Sequence, residues 1–125
     1  TRLQTTKHKK EEVMVLDKAL EYFTTFSEQD SKGLRSMFSD DVYLRDWKII
    51  ANGIDEVVDA NQSIFDSVET IVVNPIQLYH STTPECDVVI AEIEIIINDD
   101  ETLLVTDILE FDGNNKIKSV RAYKG

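Results

Sequence analysis

The chain has 125 residues, 42% of them hydrophobic and 30% charged, and a net charge of −11. That composition suits a single folded domain able to bury roughly two-thirds of its unfolded surface, and it excludes a disordered or fibrous chain. The charge is uneven: residues 1–10, TRLQTTKHKK, hold four cations and no acid, so residues 11–125 carry −15, which repels phosphate backbones and argues against a nucleic-acid partner.

Residues 1–10 are read as a flexible basic tail and 11–125 as one domain. From Val13 to Phe26, apolar residues recur at 13, 16, 20 and 23 and again at 15, 19, 22 and 26, the wide stripe of a largely buried helix. Asp30 or Ser31 can cap a short second helix carrying Leu34, Met37 and Phe38. Asp40 and Asp41 break that pattern, and a strand follows in which Val42, Leu44 and Asp46 share one side while Tyr43, Arg45, Trp47 and Ile49 share the other.

Asn52-Gly53 is a turn signal, and Ile54, Val57, Val58, Asn61, Ile64, Phe65 and Val68 mark a third helix. Everything beyond is β. Residues 70–79 form a strand interrupted at Asn74-Pro75, where proline fits an edge or a bulge. Strands at 87–97, 102–111 and 116–124 are joined by the short turns NDD and DGNN, so the last three make an antiparallel meander. The order α-α-β-α-β-β-β-β predicts an α+β fold, three helices on one face of a curved antiparallel sheet, with a pocket between helices and sheet.

Neither His8, His80 nor Cys86 stands at a metal-ligand spacing, and four glycines form no phosphate-cradling loop, so no metal and no cofactor are expected. The lone Cys86 forbids an intrachain disulfide, and no apolar run has the length of a signal core or a membrane span. A cytoplasmic protein with no membrane partner is the expectation.

Carboxylates on apolar strand faces are the informative polar groups, because an unpaired buried charge is costly and demands a partner, a shifted pKa or a function. In TLLVTDILEF (102–111), Asp107 interrupts a row of Leu103, Val105, Leu109 and Phe111. Asp46 follows Val42 and Leu44 in the same way; the blander reading makes it a strand-end carboxylate paired with Arg45 or Lys48. For Asp107 the blander reading needs a bulge that turns Leu104, Thr106 and Ile108 inward. On the neighbouring strand Val89, Ala91, Ile93, Ile95 and Ile97 make the core row, which leaves Glu92 and Glu94 on the outer face.

Together these residues resemble the ketosteroid isomerases within the NTF2-like (SnoaL-like) superfamily. The likeness runs from about Leu20 to Tyr123 and is densest in LEYFTTFSEQDSKGLRSMFSDDVYLRDW and LLVTDILEFDGNNKIKSVRAY. It implies a cone-shaped α+β barrel (cystatin/NTF2-like) and a division of labour: Asp46 as the base that moves a proton next to a carbonyl, with Tyr22 and a neutral Asp107 as hydrogen-bond donors to the developing enolate oxygen. Phe26, Phe38, Trp47, Asn61, Phe65 and Val105 are expected to contact the substrate, a small apolar or amphipathic carbonyl compound. Phe38 and Asn61 stand where relatives can have tyrosines supporting the first-helix tyrosine, and Lys124 follows Ala122-Tyr123 where they have tryptophan. Lys48 near the mouth suits a more polar or anionic ligand than a steroid. The resemblance also implies a homodimer through the outer sheet face, and it leaves open a non-catalytic ligand-binding or association module of the same fold.

Overall fold

The structure is a computed structural model that describes residues 2–125, with side chains from Lys10 onward. Helix α1 is Arg2–Ser27. Its start lies inside the segment read as a tail, most of whose side chains fall outside the described residues. The apolar stripe does bury Val15, Ala19, Tyr22 and Phe23. At its last turn the Ser27 hydroxyl donates to the Phe23 carbonyl (2.8 Å) and accepts from the Val73 amide (2.9 Å), tying the helix end to a strand.

Helix α2 is Ser31–Met37, with Asp30 as its N-cap accepting from the Gly33 amide at 3.0 Å. A side chain at Gly33 would meet that same carboxylate at 2.5 Å, so cap and glycine belong together. Phe38, expected on this helix, instead opens strand β1, Phe38–Arg45: its backbone is extended, and its N–H closes the helix by bonding to the Arg35 carbonyl. Asp40 and Asp41 lie within β1, both exposed, where the pairing to the neighbouring strand slips between Phe38 and Tyr43.

The chain then turns at residues 46–49 into a short strand that sequence reading does not separate, β2, Ile50–Asn52. Gly53, at φ +87°, leads into helix α3, Ile54–Asp66, which buries Val57, Val58, Asn61 and Phe65. Four strands follow: β3, Ile71–Thr82; β4, Asp87–Ile97; β5, Glu101–Phe111; and β6, Ile117–Lys124. The last three form the expected antiparallel meander, and β3 extends it as an antiparallel edge strand. Pro75 sits both on the edge strand and at a register shift, where its missing N–H leaves no gap in a regular ladder.

The sheet is a single one of six strands in the order β2-β1-β6-β5-β4-β3. It departs from the expectation in two respects. It is mixed, because β1 runs parallel to β6, and it is not closed into a barrel, because β2 and β3 lie at opposite edges. A parallel pair is possible here since helices and strands intervene between residues 45 and 117, giving the chain the long crossover that such pairing needs.

Helix α1 packs on β3 and β4, α3 packs on β1 and β2, and α2 touches both helices. The two flanks of the inner face are thereby covered. Core side chains fill these flanks, among them Val89, Ala91 and Ile93 from β4 and Phe111 and Leu109 from β5, each worth about 1.5–3 kcal/mol where a large apolar side chain leaves water. Between the helices, part of the inner surface running from β3 to β6 is left for something else.

Candidate active site

A cavity of about 340 Å³ occupies that space. Its wall is mostly hydrocarbon, and its polar members include Tyr22 from α1, Asp46 and Lys48 from the β1–β2 turn, Asn61 and Ser67 from α3 and its C-cap, and Asp107 from β5. The three residues singled out as catalytic therefore share one cavity. Of the expected substrate contacts, Phe26, Trp47, Asn61 and Val105 line it. Phe38 and Phe65 do not. They stand one layer behind, Phe38 with its ring 6.1 Å from that of Tyr22 and Phe65 packed edge-on against Phe26 at 4.9 Å. Both aromatic residues fall on buried faces as periodicity requires, but periodicity does not separate a cavity wall from the packing behind it.

Asp107 faces inward because β5 holds a regular alternation: Val105, Asp107, Leu109 and Phe111 are buried, and β4 pairs with β5 without a slip along the whole strand. The residue is 7% exposed. Across the ladder it is opposite Ala91 on β4 and Ala122 on β6. Two methyl groups offer no hydrogen bond and fill little space, so the small neighbours both hollow the sheet surface and strand the carboxyl group. Burial, and secondly the negative charge of Asp46, push its pKa up to about 7, with no hydrogen bond contributing.

Tyr22 is set among hydrocarbon rings, with Phe23, Phe26 and Phe38 at 5.5, 6.3 and 6.1 Å between centroids. It is 5% exposed. Burial first and then the charge of Asp107 push its hydroxyl upward in pKa, so it stays a proton-bearing donor throughout the physiological range.

Asp46 is anchored differently from either expectation. It does not prolong β1, which stops at Arg45, and it pairs with neither Arg45 nor Lys48 through their side chains. One carboxylate oxygen, Oδ1, accepts the backbone N–H groups of Lys48 (2.7 Å) and Ile49 (2.6 Å), and the Asp46 amide donates to the Ile49 carbonyl at 2.9 Å. This side-chain-closed turn makes the corner between β1 and β2. It fixes the carboxylate at the cavity and leaves Oδ2 outside these bonds. Beside it, half-exposed Trp47 stands 6.0 Å from the Lys124 ammonium, and both line the opening with Lys48 and Glu101.

Sequence reasoning missed the contribution of β6: Val120 and Ala122 are in the wall, and Lys124 is at its rim. The alternation of SVRAYK carries the signal, since Val120 and Ala122 share a side, but which side faces inward depends on pairing to β5. Among the described residues no group of His, Cys, Asp and Glu is arranged to hold a metal ion.

No protein-family model matches the chain, and no curated protein matches it. Solved structures do. A candidate scytalone dehydratase from Novosphingobium aromaticivorans superposes with a TM-score of 0.85 at 11% identity, over 97% of this chain and 88% of that one. A candidate dehydratase of the NTF2-like family from Streptomyces avermitilis gives 0.77 at 16% identity, over 94% and 98%. A candidate ketosteroid isomerase from Kribbella flavida gives 0.70 at 16%, over 89% and 77%. At these identities the likeness establishes the fold, the cone-shaped α+β architecture of NTF2-like and cystatin-like proteins, and leaves the chemistry to be argued from the site.

Proposed function

We propose that this chain, with its NTF2-like fold, is a small-molecule enzyme that moves a proton between carbons next to a carbonyl, as an isomerase does. The observation that carries the reading is the meeting, in one largely hydrocarbon cavity, of an anchored carboxylate at Asp46 with two buried proton donors, Tyr22 and an Asp107 whose pKa is pushed up to about 7. Oδ2 of Asp46 takes a proton from the carbon beside the carbonyl. The electron pair moves onto the carbonyl oxygen, where the Tyr22 hydroxyl and the neutral Asp107 carboxyl donate hydrogen bonds to the growing charge. Asp46 then returns the proton to another carbon of the same framework. Structural neighbours named as dehydratases and a ketosteroid isomerase support an enzyme of this general kind.

Asp46→Asn is the decisive variant. An asparagine oxygen can still accept the Lys48 and Ile49 amides, so the turn persists while the base is gone. Across a panel of enolisable carbonyl compounds, turnover by the wild type is expected to fall about 10²–10⁴-fold in the variant at unchanged circular dichroism. A panel that shows no turnover dependent on Asp46 sinks the reading.

One observation favours a second reading. Because Oδ1 of Asp46 already closes a turn, the carboxylate has a structural reason to be there, and the cavity would then hold a ligand without transforming it. Under that reading Asp46→Asn leaves ligand affinity intact and there is no turnover to lose. Exposed Tyr79, Leu104 and Tyr123 on the outer sheet face support a homodimer, to be checked by sedimentation. A single unpaired Cys86 suits work in the cytoplasm. Among the described residues no helix is long and apolar enough to cross a membrane.

A further inference from the structure

Helix α3 buries one face, and the positions 57, 58, 61, 64 and 65 fall on it at helical spacing. Four of the five are Val57, Val58, Ile64 and Phe65. The fifth, at the centre, is Asn61, 2% exposed. Its Nδ2 is the only buried side-chain nitrogen or oxygen without a hydrogen-bond partner among the described residues. A leucine of nearly the same size would pack there at no such cost, so the amide is a liability to the empty fold.

The same side chain lines the cavity. The other α3 polar group in that wall, Ser67, already donates to the Ile64 carbonyl at 2.7 Å. Of the two α3 polar groups, Asn61 is thus the one with hydrogen-bonding capacity to spare, and it comes from a different element than Tyr22 on α1 and Asp107 on β5. An amide can turn end for end, so it can present N–H or carbonyl oxygen to a guest.

We propose that Asn61 is a specificity-determining residue that hydrogen-bonds a second oxygen of the substrate, which makes the substrate class hydroxy-carbonyl or dicarbonyl compounds rather than ketones with a purely hydrocarbon body. The inference rests on the proposed function, in which Tyr22 and Asp107 hold the first oxygen. A site built to pair a hydroxyl rejects the analogue that lacks one, because its own buried polar group is then left unsatisfied.

Phenol tests both layers, since its oxygen resembles an enolate oxygen; catechol, resorcinol and hydroquinone add a second oxygen at three positions. Calorimetric titration of the whole protein should show at least one of the three binding roughly fivefold to tenfold more tightly than phenol. In Asn61→Leu that ratio should collapse towards one, while the variant melts at or above the wild-type temperature because the unpaired amide is gone. Phenol binding that is lost in Tyr22→Phe and Asp107→Leu, with no preference for any second hydroxyl in the wild type, overturns the role of Asn61 and leaves the proposed function standing. Phenol binding indifferent to Tyr22 and Asp107 removes the proposed function and this inference with it. A preference that persists in folded Asn61→Leu assigns the second oxygen elsewhere and also overturns the proposal.

Discussion

Replacing Asp107 by asparagine should move stability in the variant's favour relative to the wild type by an amount that grows with pH. The carboxyl group is flanked by Ala91 and Ala122, and its pKa rises from 3.8 to about 7 on folding. A raised carboxylate pKa means that the folded state holds a proton the unfolded state has released. Stability from this group is therefore complete below pH 3.8, declines between there and pH 7, and levels off above. The shift is roughly three pKa units, and at about 1.4 kcal/mol each the decline amounts to about 4 kcal/mol. Asparagine has no proton to lose, so the difference between variant and wild type isolates this one titration while the other carboxylates cancel. Urea unfolding at pH 4.5, 6 and 8 should show the variant gaining on the wild type by about 3 kcal/mol over that interval. A difference that stays flat from pH 4.5 to 8 would mean that Asp107 titrates like an exposed acid, and the argument for a neutral donor at pH 7 would collapse.

Three other expectations follow from the same geometry. Tyr22→Phe keeps the ring among Phe23, Phe26 and Phe38 but removes a donor; turnover of an active carbonyl substrate should drop by about 10²–10³-fold with little change in KM, as steady-state kinetics will show. Ala122→Leu should fill the hollow beside Asp107, so that phenol no longer binds by calorimetry although circular dichroism is unchanged. Gly53→Ala meets no steric neighbour closer than the Asp40 carbonyl at 4.0 Å, yet φ of +87° at ψ of 157° is a glycine conformation; the variant should lose about 1–3 kcal/mol in urea unfolding, and an unchanged midpoint would refute the strain argument.

Much of the meander was legible because its determinants are local. The clean row of β4, the interrupted row of β5 and the turns at 98–100 and 112–115 depend on alternation and short-range turn chemistry, and Pro75 signals an edge or a bulge where the structure has both. The corner at Asp46 was not legible in the same way. Trp47 and Lys48 carry no turn signature, and the reversal depends on a side chain bonding two amides ahead of it, so alternation simply ran on through residue 49. Phe38 continues the apolar spacing of α2 and so reads as helical; the chain is extended there because it enters the sheet beside Ile117. That pairing spans most of the sequence, and no local pattern specifies it. In the site, inward alternation placed Asp107 in the interior, but its isolation depends on two alanines from other strands, which only the register brings beside it.

The parallel pairing of β1 with β6 also governs the order in which the molecule can become competent. Tyr43, Leu44 and Arg45 are matched to Ser119, Val120 and Arg121, so the corner that holds Asp46 has its sheet neighbour among residues more than 70 positions away. Asp107 lies on β5, one strand beyond β6, which stands between the two carboxylates. A folding chain can close the β3–β4 and β4–β5 hairpins early, by short loops, and bury most of the β4 row without β1. The face-off between Asp46 and Asp107 must wait until β6 has docked on both sides. Completing the site thus carries the largest loop-closure cost of any pairing in the sheet, and the burial and the Asp46 charge that together raise the Asp107 pKa act only on a chain whose sheet is complete.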